Sequence, residues 1–486
     1  MASARSVTLP PPPEPPPRAG ACPARALPGG PPGRAPVASA ATHAGPLRRG
    51  LPAPLRRRPV LPEVPSPARA VPHAIHSRAV TLRASVGSTE RASPESAGRL
   101  AAAAAAGPLG RERVRTLIVF CTGAHASQAE AVARGAREVV SDAVVAVVGG
   151  PGALTPDGDV GPGAAVALAL DVPSQAAVAG LDAAETLGRS LRHRPARPLL
   201  VFGKRAIPPE RLASFVEAAG ASAVAGGGAE PSASLAVAVP DGAVSTGDLL
   251  AMRIDGGLRM ALAHSVAVHP LGPLWKVTGV EKGYVTALEG QPPLSRLGRA
   301  VRDRQDRPLV LVRWRPQDAP AAESFSEADL AALPGAGLSV ALGGLAGAGL
   351  GPTVEESSDE PLTVVRGIGG IDPEKGAVYV GRDVRVGDEL GYCVPDARAG
   401  REDLKASLQR LDADLCGGIP VAALVLDSVG RGSQLYGKAH VDARAIRRHF
   451  DELPFAGVRT ASELVSLGPP RVAGHSAVIA LLFRPS

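Results

Sequence analysis

The stretch RTLIVFCTGAHASQAEAVARGAREVVSDAVVAVVGG, residues 115–150, decides the fold class. It opens with an apolar run and continues with apolar residues at helical spacing, for which Ser127 is a candidate cap. It closes with the second apolar run, AVVAVVGG. Strand, helix and strand in this order form the unit of an α/β sheet. The stretch therefore predicts an α/β fold whose folded part begins near Arg113.

Further strand and helix patterns follow along the chain. Residues 198–220 read PLLVFGKRAIPPERLASFVEAAG, an apolar run and then a helical pattern with proline at its start. Short apolar runs separated by DG, GG or KG turns come next and indicate antiparallel hairpins. Residues 361–486 again combine hairpins, helical patterns and apolar runs. We therefore expect two modules of mixed β-sheet with flanking helices and antiparallel hairpins, and their similar order of elements suggests that they are related.

The basic charge of the chain is concentrated at its start. The formal charge is +7, but residues 1–89 hold twelve Arg and two acidic residues, which leaves 41 basic against 44 acidic residues in the remainder. The start is rich in Ala, Pro, Ser and Arg and has no continuous apolar core, which is typical of organelle transit peptides. We expect a chloroplast transit peptide, with the mitochondrion as the alternative, although a disordered basic tail has the same composition.

Composition argues against several other classes of protein. The body of the chain lacks the basic surplus that binds a phosphate backbone, so we expect no nucleic-acid partner. Cys121, Cys393 and Cys416 form no CxxC pair, and we expect neither a cofactor nor a metal site. The uncharged run 331–354 contains Pro334 and many glycines, so it makes a poor membrane-spanning helix.

Several segments resemble one protein family. IGGIDPEKGAVYVGRDVRVGDELGYCVPDARAGREDLKASLQ, the turn SVGRG and the terminal GHSAVIALLF are similar to the carboxy-terminal FIST domain, FIST C. SVAVHPLGPLWKVTGVEKGYVTALEGQPPL resembles the end of the amino-terminal FIST domain, FIST N. With the resemblance and the composition together, the expected organisation is a transit peptide at 1–84, a disordered Ala-rich linker at 85–112, a FIST N-like module at 113–300, a variable connecting segment at 301–360 and a FIST C-like module at 361–486.

FIST domains are described as signal-transduction modules that sense small ligands such as amino acids. The resemblance therefore implies a sensory protein that holds a small ligand, an amino acid or an organic acid, between its two modules, in a eukaryotic organelle-targeted member of the family. Some relatives join FIST to an F-box and act as protein-interaction adaptors. The alternative interpretation is therefore an adaptor that binds a protein partner. No F-box-like segment is visible in this sequence, so such an adaptor would lack the F-box of those relatives.

The turn SVGRG allows three interpretations. In relatives it reads Ser-Cys-x-Gly-Arg-Gly, and Ser428 occupies the Cys position here. Backbone N–H groups and the guanidinium of Arg431 can bind a carboxylate or phosphate, whereas an ordinary tight turn needs only the glycines. A serine hydrolase is the third interpretation, since Ser428 can be combined with Asp442 and either His440 or His475 into a triad. No GxSxG is present, so we assign no catalytic residue.

The expected ligand site draws on both modules. Arg431 and Arg366 would hold a carboxylate, and the neighbouring polar residues would provide selectivity. His269 would contact the ligand beside Pro270. The candidate ligand-binding residues are Ser265, His269, Arg366, Ser428, Gly430, Arg431, Gly432, Asp442 and Glu463.

Overall fold

A computed structural model describes residues 84–486, except residues 91, 231, 241, 243, 301–307, 315–361 and 467–470. The described residues lie within one compact unit, 77–486. Almost all of the expected transit peptide, the run 331–354 and most of the connecting segment fall outside the described residues, and these expectations stay predictions.

Eight α-helices occur in the part of the chain that the structure describes. They are α1 (Pro94–Ala106), α2 (Ala129–Arg137), α3 (Ala184–Leu191), α4 (Pro209–Ala219), α5 (Pro293–Ala300), α6 (Ala397–Ala413), α7 (Ser433–Tyr436) and α8 (Val441–Phe450). In the same described residues, no helix combines the length and the apolar character that crossing a membrane requires.

Sheet 1 contains the predicted strand–helix–strand unit. Its strands in spatial order are β1 (Ala84–Glu90), β6 (Ala164–Leu170), β2 (Thr116–Thr122), β3 (Val144–Gly150), β10 (Leu235–Ala238) and β11 (Val244–Gly247). β2 and β3 pair in parallel and α2 connects them. Ser127 does not cap this helix, because its hydroxyl bonds to the carbonyl of Ala124. The hydroxyl of Ser234, distant in sequence, accepts the N–H of Ala129 instead.

Sheet 2 repeats this plan with α4 as the connecting helix. Its strands in spatial order are β25 (Arg471–Ala473), β24 (Ser462–Val465), β9 (Ala223–Gly228), β8 (Pro198–Gly203), β12 (Leu249–Ile254) and β7 (Ser174–Ala179). β8 and β9 are parallel, and β12 runs antiparallel to β8. The helix begins at Pro209, as the sequence predicts.

Sheet 3 repeats the plan again, with α8 as the connecting helix. Its strands in spatial order are β13 (Arg259–Val266), β26 (Ser476–Arg484), β22 (Ile419–Ser428), β23 (Phe455–Thr460), β4 (Ala153–Thr155) and β5 (Gly158–Val160). β22 and β23 are parallel, and β26 lies antiparallel between β22 and β13. Apolar residues of α6 and α8 cover one face of this sheet.

Sheet 4 is built from antiparallel hairpins. Its strands in spatial order are β18 (Leu362–Gly367), β17 (Leu309–Trp314), β21 (Glu389–Pro395), β15 (Trp275–Glu281), β16 (Tyr284–Leu288), β20 (Ala377–Tyr379) and β19 (Gly370–Asp372), and β14 (Val268–Pro270) pairs with β21. The largest apolar core draws on all four sheets. The predicted α/β class, with mixed sheets, flanking helices and hairpins, is confirmed.

The two halves of the chain exchange strands. β13 of the first half pairs with β26 of the second, and β4 pairs with β23. In return, β24 of the second half pairs with β9 of the first. Sheets 2 and 3 therefore each contain strands from both halves, and the two expected modules are not separate layers.

The Ala-rich segment is folded, which corrects the expectation of a disordered linker at 85–112. β1 pairs with β6 along its full length, and one face of α1 is buried against α2 and sheet 1. A Cβ atom on Gly135 of α2 would overlap the carbonyl oxygen of Glu95 in α1. Small residues allow this close helix packing, so the Ala run is a buried helix and the fold begins well before Arg113.

Candidate ligand-binding site

Polar residues of sheet 3 meet at the carboxyl end of β22. The strand is apolar and buried over residues 422–426 and ends in Asp427 and Ser428. The parallel strand β23 places Thr460 beside Ser428, and β26 begins at the same edge with Ser476. The parallel strands β22 and β23 end at this edge, and the antiparallel strand β26 begins there, so strand direction brings these groups together.

The alternation of side chains divides this edge into two faces. Asp427 and Ser265 are both paired with Ala477, so their side chains lie on one face of sheet 3. Ser428 follows Asp427 and points to the other face. Buried ion pairs occupy the first face, and a cavity borders the second.

The cavity has a volume of about 350 Å³. It lies where the edge of sheet 3 meets β18 and β25. The described residues that line it are Arg366, Gly367, Ser428, Val429, Gly430, Gln434, Ala461, Val472, Ala473, Gly474 and His475. All of them belong to 361–486, so this cavity does not lie between the two expected modules.

The hydroxyl of Ser428 is constrained by two backbone donors. Its oxygen accepts the N–H of His475 at 3.1 Å and the N–H of Gly430 at 3.4 Å. A hydroxyl has two lone pairs and one proton, so both acceptor positions are filled. Among the described residues the hydroxyl makes no hydrogen bond as a donor, and Ser428 lines the cavity. Ser428 is therefore placed to donate a hydrogen bond to whatever fills the cavity.

His475 lies over the turn that follows Ser428. Its backbone has φ of 52°, in the left-handed region, and this conformation directs its N–H to Ser428. Burial lowers the pKa of its imidazole below the ordinary value of 6.5, so the ring is neutral at pH 7. A Cβ atom on Gly430 would overlap this ring, which explains why glycine occupies that position.

Arg366 lines the cavity, but its guanidinium is bound to a buried carboxylate, which Arg471 also contacts. Its guanidinium donates to both carboxylate oxygens of Asp383, at 2.6 and 2.9 Å. It also lies over the ring of Trp314, 4.9 Å from the centroid. Bidentate pairing and stacking hold the guanidinium in one position. Arg366 therefore contributes a rigid wall.

Arg431 is committed to the opposite face of sheet 3. Its side chain is 0% exposed. Its guanidinium donates to Asp442 at 3.0 and 3.2 Å and to the Tyr436 hydroxyl at 2.8 Å, and it lies 3.2 Å from a carboxylate oxygen of Asp427. Burial disfavours the guanidinium charge, but Asp442 raises the pKa of Arg431 above its ordinary value overall. Arg431 therefore holds the turn together from inside.

Glu463 is a fully buried carboxyl group at the start of β24. One of its oxygens accepts the hydroxyl of Thr460 at 2.9 Å, and the other accepts that of Ser476 at 2.8 Å. Burial raises its pKa from 4.5 to about 8, although these two hydrogen bonds lower the pKa in part. The group is therefore largely uncharged at pH 7 and ties β24 to the edge of sheet 3.

Two segments of the chain match known domains. Residues 115–291 match the FIST N domain, and residues 326–466 match the FIST C domain. This chain is a FIST-domain protein. The resemblance of residues 368–409 and of the turn to FIST C is thus confirmed, whereas the terminal GHSAVIALLF lies beyond the matched residues. FIST domains are associated with signal transduction and the sensing of small ligands.

The relatives of this FIST protein include mycobacterial proteins. An uncharacterized protein of Mycobacterium tuberculosis is 32% identical over 230 residues, which are 46% of this chain and 50% of that protein. An uncharacterized protein of Mycobacterium bovis is 30% identical over 238 residues, 48% of this chain and 52% of that protein. The chain thus spans about half the length of these curated relatives. They give no support to an organelle-targeted eukaryotic member, which stays a prediction.

The structure separates the predicted site residues of this FIST protein into groups. Arg366, Ser428 and Gly430 line the cavity, and Glu463 is buried nearby. The side chains of Ser265, Arg431 and Asp442 are buried on the opposite face of sheet 3 or in its ion pairs. Two remain: His269 is exposed on β14, and Gly432 has φ of 66° in the turn.

The predicted carboxylate clamp is not present in this FIST fold. Arg431 is paired with Asp442, and Arg366 is paired with Asp383. Sequence alone could not show this, because both acidic partners are distant from the arginines along the chain or separated by a turn. Gln434, Ala461 and Val472 also line the cavity, and the sequence offers no signal that distinguishes them.

The serine-hydrolase interpretation lacks its geometry. Asp442 bonds to Arg431 and Tyr436, and the Nδ1 atom of His440 accepts the N–H of Asp159. Ser428 accepts two hydrogen bonds, whereas a nucleophile needs a free lone pair and a base that takes its proton. Among the described residues, no group of three or more His, Cys, Asp or Glu side chains is placed to hold a metal ion.

Proposed function

We propose that this FIST protein is a sensory protein that binds a small polar ligand in the cavity beside Ser428. The observation that carries the proposal is the Ser428 hydroxyl, which lines the cavity, accepts two backbone N–H groups and makes no hydrogen bond as a donor among the described residues. A buried donor without an acceptor costs free energy, and a ligand acceptor removes that cost. The volume of about 350 Å³ suits a ligand of the size of an amino acid.

The chemistry of the wall limits the class of ligand. Arg366 is paired with Asp383, which Arg471 also contacts, and burial keeps the imidazole of His475 uncharged. Val429, Ala461 and Val472 add apolar surface. The ligand would therefore present a carbonyl, amide or carboxylate oxygen to Ser428 and a small apolar part to the rest of the cavity.

Signalling requires that the ligand bind one conformation better than another. Since the halves share sheets 2 and 3, a rigid rotation of one half against the other would break several strand pairs. The turn and short helix at residues 429–437 lie outside the strands and contribute Val429, Gly430 and Gln434 to the cavity wall. We propose that the ligand acts by fixing this segment, which would then form the surface that reports occupancy.

The test is calorimetric titration of the protein with a panel of amino acids, organic acids and neutral amides. We expect one class to bind and Ser428→Ala to weaken that binding by about 2- to 10-fold, the value of one hydrogen bond. Ser433→Ala is the matched control, since Ser433 is exposed in the same turn. If the folded protein binds nothing in the panel, or if both variants bind like the parent, the proposal is wrong.

A further inference from the structure

Arg459 contacts the turn at residues 428–432, which borders the cavity and is called the cavity turn below. Arg459 lies on β23, paired in register with Asp427 of β22. One nitrogen of its guanidinium lies 2.9 Å from a carboxylate oxygen of Asp427 and donates at 3.4 Å to the carbonyl of Ser428. The guanidinium thus contacts both the last strand residues and the beginning of the turn.

The same guanidinium fills the space that a side chain at Gly432 would need. Gly432 has φ of 66°, and a Cβ atom there would overlap the guanidinium of Arg459. The turn from Ser428 to Gly432 therefore rests directly on this side chain. If the guanidinium moves, the turn loses its support.

A residue from the other half of the chain holds Arg459 in place. Asp159 lies on β5, in the hairpin that the FIST N half contributes to sheet 3. One oxygen of its carboxylate accepts a hydrogen bond from Arg459 at 3.0 Å, and the other accepts the backbone N–H of His440 at 2.8 Å. The N–H of Asp159 in turn donates to the His440 imidazole at 2.7 Å. Asp159 thus holds both the support of the turn and the residue that precedes α8.

We infer that Asp159 and Arg459 are positioning residues through which the FIST N half sets the conformation of the cavity turn in the FIST C half. Neither residue lines the cavity, so they act through the turn alone. That the turn serves a ligand rests on the proposed function. That Asp159 and Arg459 hold the turn is a separate claim and can be tested without a ligand.

The consequence of losing the carboxylate is local. Without Asp159, Arg459 keeps the carbonyl of Ser428 and the carboxylate of Asp427, which Arg431 also contacts. Two charge-assisted hydrogen bonds to Asp159, from Arg459 and the His440 N–H, are weakened, while the pairing of β22 with β26 is untouched. The removal of a hydrogen bond to a charged group corresponds to an increase of about tenfold or more in local opening.

Amide hydrogen exchange of the full chain measures this opening. The N–H of Val429 donates to the carbonyl of Thr460 on β23, that of Arg431 to Ser428 and that of Tyr436 to Gly432, so the exchange of these three groups reports on the turn and the helix after it. We expect Asp159→Asn to accelerate exchange over residues 429–437 about tenfold or more, with peptides of β26 unchanged. Asp159→Glu should restore much of the protection, because it keeps the carboxylate.

Asp157→Asn is the matched control. It removes the same charge from the same hairpin, but Asp157 is 89% exposed and pairs with Arg447, which is 54% exposed. If Asp159→Asn fails to fold, Arg459→Lys keeps the charge and removes the planar fork, and the same local acceleration is expected. Exchange of the turn equal to that of the control, or acceleration spread evenly over the chain, overturns the inference. Neither outcome depends on a ligand, so failure here is distinct from failure of the binding panel.

Discussion

The buried carboxyl group of Glu463 predicts a pH dependence of stability that one substitution should remove. Burial raises its pKa to about 8 from 4.5. Between these two pH values the unfolded chain releases the proton and the folded chain retains it. The unfolded state then binds fewer protons, so the free energy of unfolding falls as the pH rises from about 5 to 8. Below this window and above it, Glu463 adds no further pH dependence.

The size of the effect follows from the change in pKa. One pKa unit corresponds to about 1.4 kcal/mol, so the change from 4.5 to about 8 sets an upper limit of roughly 4–5 kcal/mol across the window. Glu463→Gln resembles the protonated acid in shape and keeps a group that bonds to Thr460 and Ser476. We therefore expect this variant to match the parent within about 1 kcal/mol at pH 5 and to exceed its stability by roughly 3–4 kcal/mol at pH 8.5.

Urea unfolding at pH 5, 7 and 8.5 is the assay. Asp427, whose pKa burial raises to about 7, contributes in the same direction in parent and variant, so the difference between the two proteins reports mainly on Glu463. Glu402→Gln is the control, because its side chain is 65% exposed. Parallel pH profiles for the parent and Glu463→Gln would refute the reasoning, since they would mean that the carboxyl group titrates normally in the fold.

Three further predictions concern other parts of the chain. Asp442→Ala leaves the guanidinium of Arg431 buried without its main partner, and we expect urea unfolding to show a loss of about 3–5 kcal/mol, against less than about 0.5 kcal/mol for the exposed Asp412→Ala. Gly135→Ala forces α2 away from α1 and should cost about 2 kcal/mol or more, whereas Gly107→Ala, whose added Cβ meets only ordinary contacts, should be neutral or stabilising; thermal unfolding compares the two. Residues 1–84 fused to a fluorescent protein should direct it to chloroplasts in plant cells, and a signal confined to the cytosol would contradict the transit-peptide prediction.

Local patterns in the sequence were sufficient for most secondary structure. The apolar runs predict the strands β2, β3 and β22, and the spacing of apolar residues predicts the helix α8. Burial of one face gives each of these elements a regular pattern. The Ala-rich segment was expected to be a disordered linker, although it forms β1 and α1. Alanine and glycine give a weak apolar signal in the sequence, yet their small size allows the closest helix packing. Strand exchange between the halves was also invisible, because pairing between residues distant in sequence leaves no local pattern.

The site was predicted in part for the same reason. The turn at Ser428 and Gly430, which the sequence marks by its glycines, lines the cavity, and its role in binding stays a prediction. The pairing of Arg431 with a buried carboxylate could not be predicted, because an arginine that binds a ligand and one that pairs with a buried carboxylate look alike in sequence. Only the placement of Asp442, eleven residues further along, decides between them.

The strand exchange described above also governs how the chain folds as it is synthesised. β9 and β13 leave the ribosome long before their partners β24 and β26 exist. Until β24 and β26 are made, both strands present open edges, which are prone to aggregation. A nascent chain that stalls in the second half would therefore depend on chaperones to protect those edges, and a truncation that removes β26 would leave the first half unable to complete its own fold.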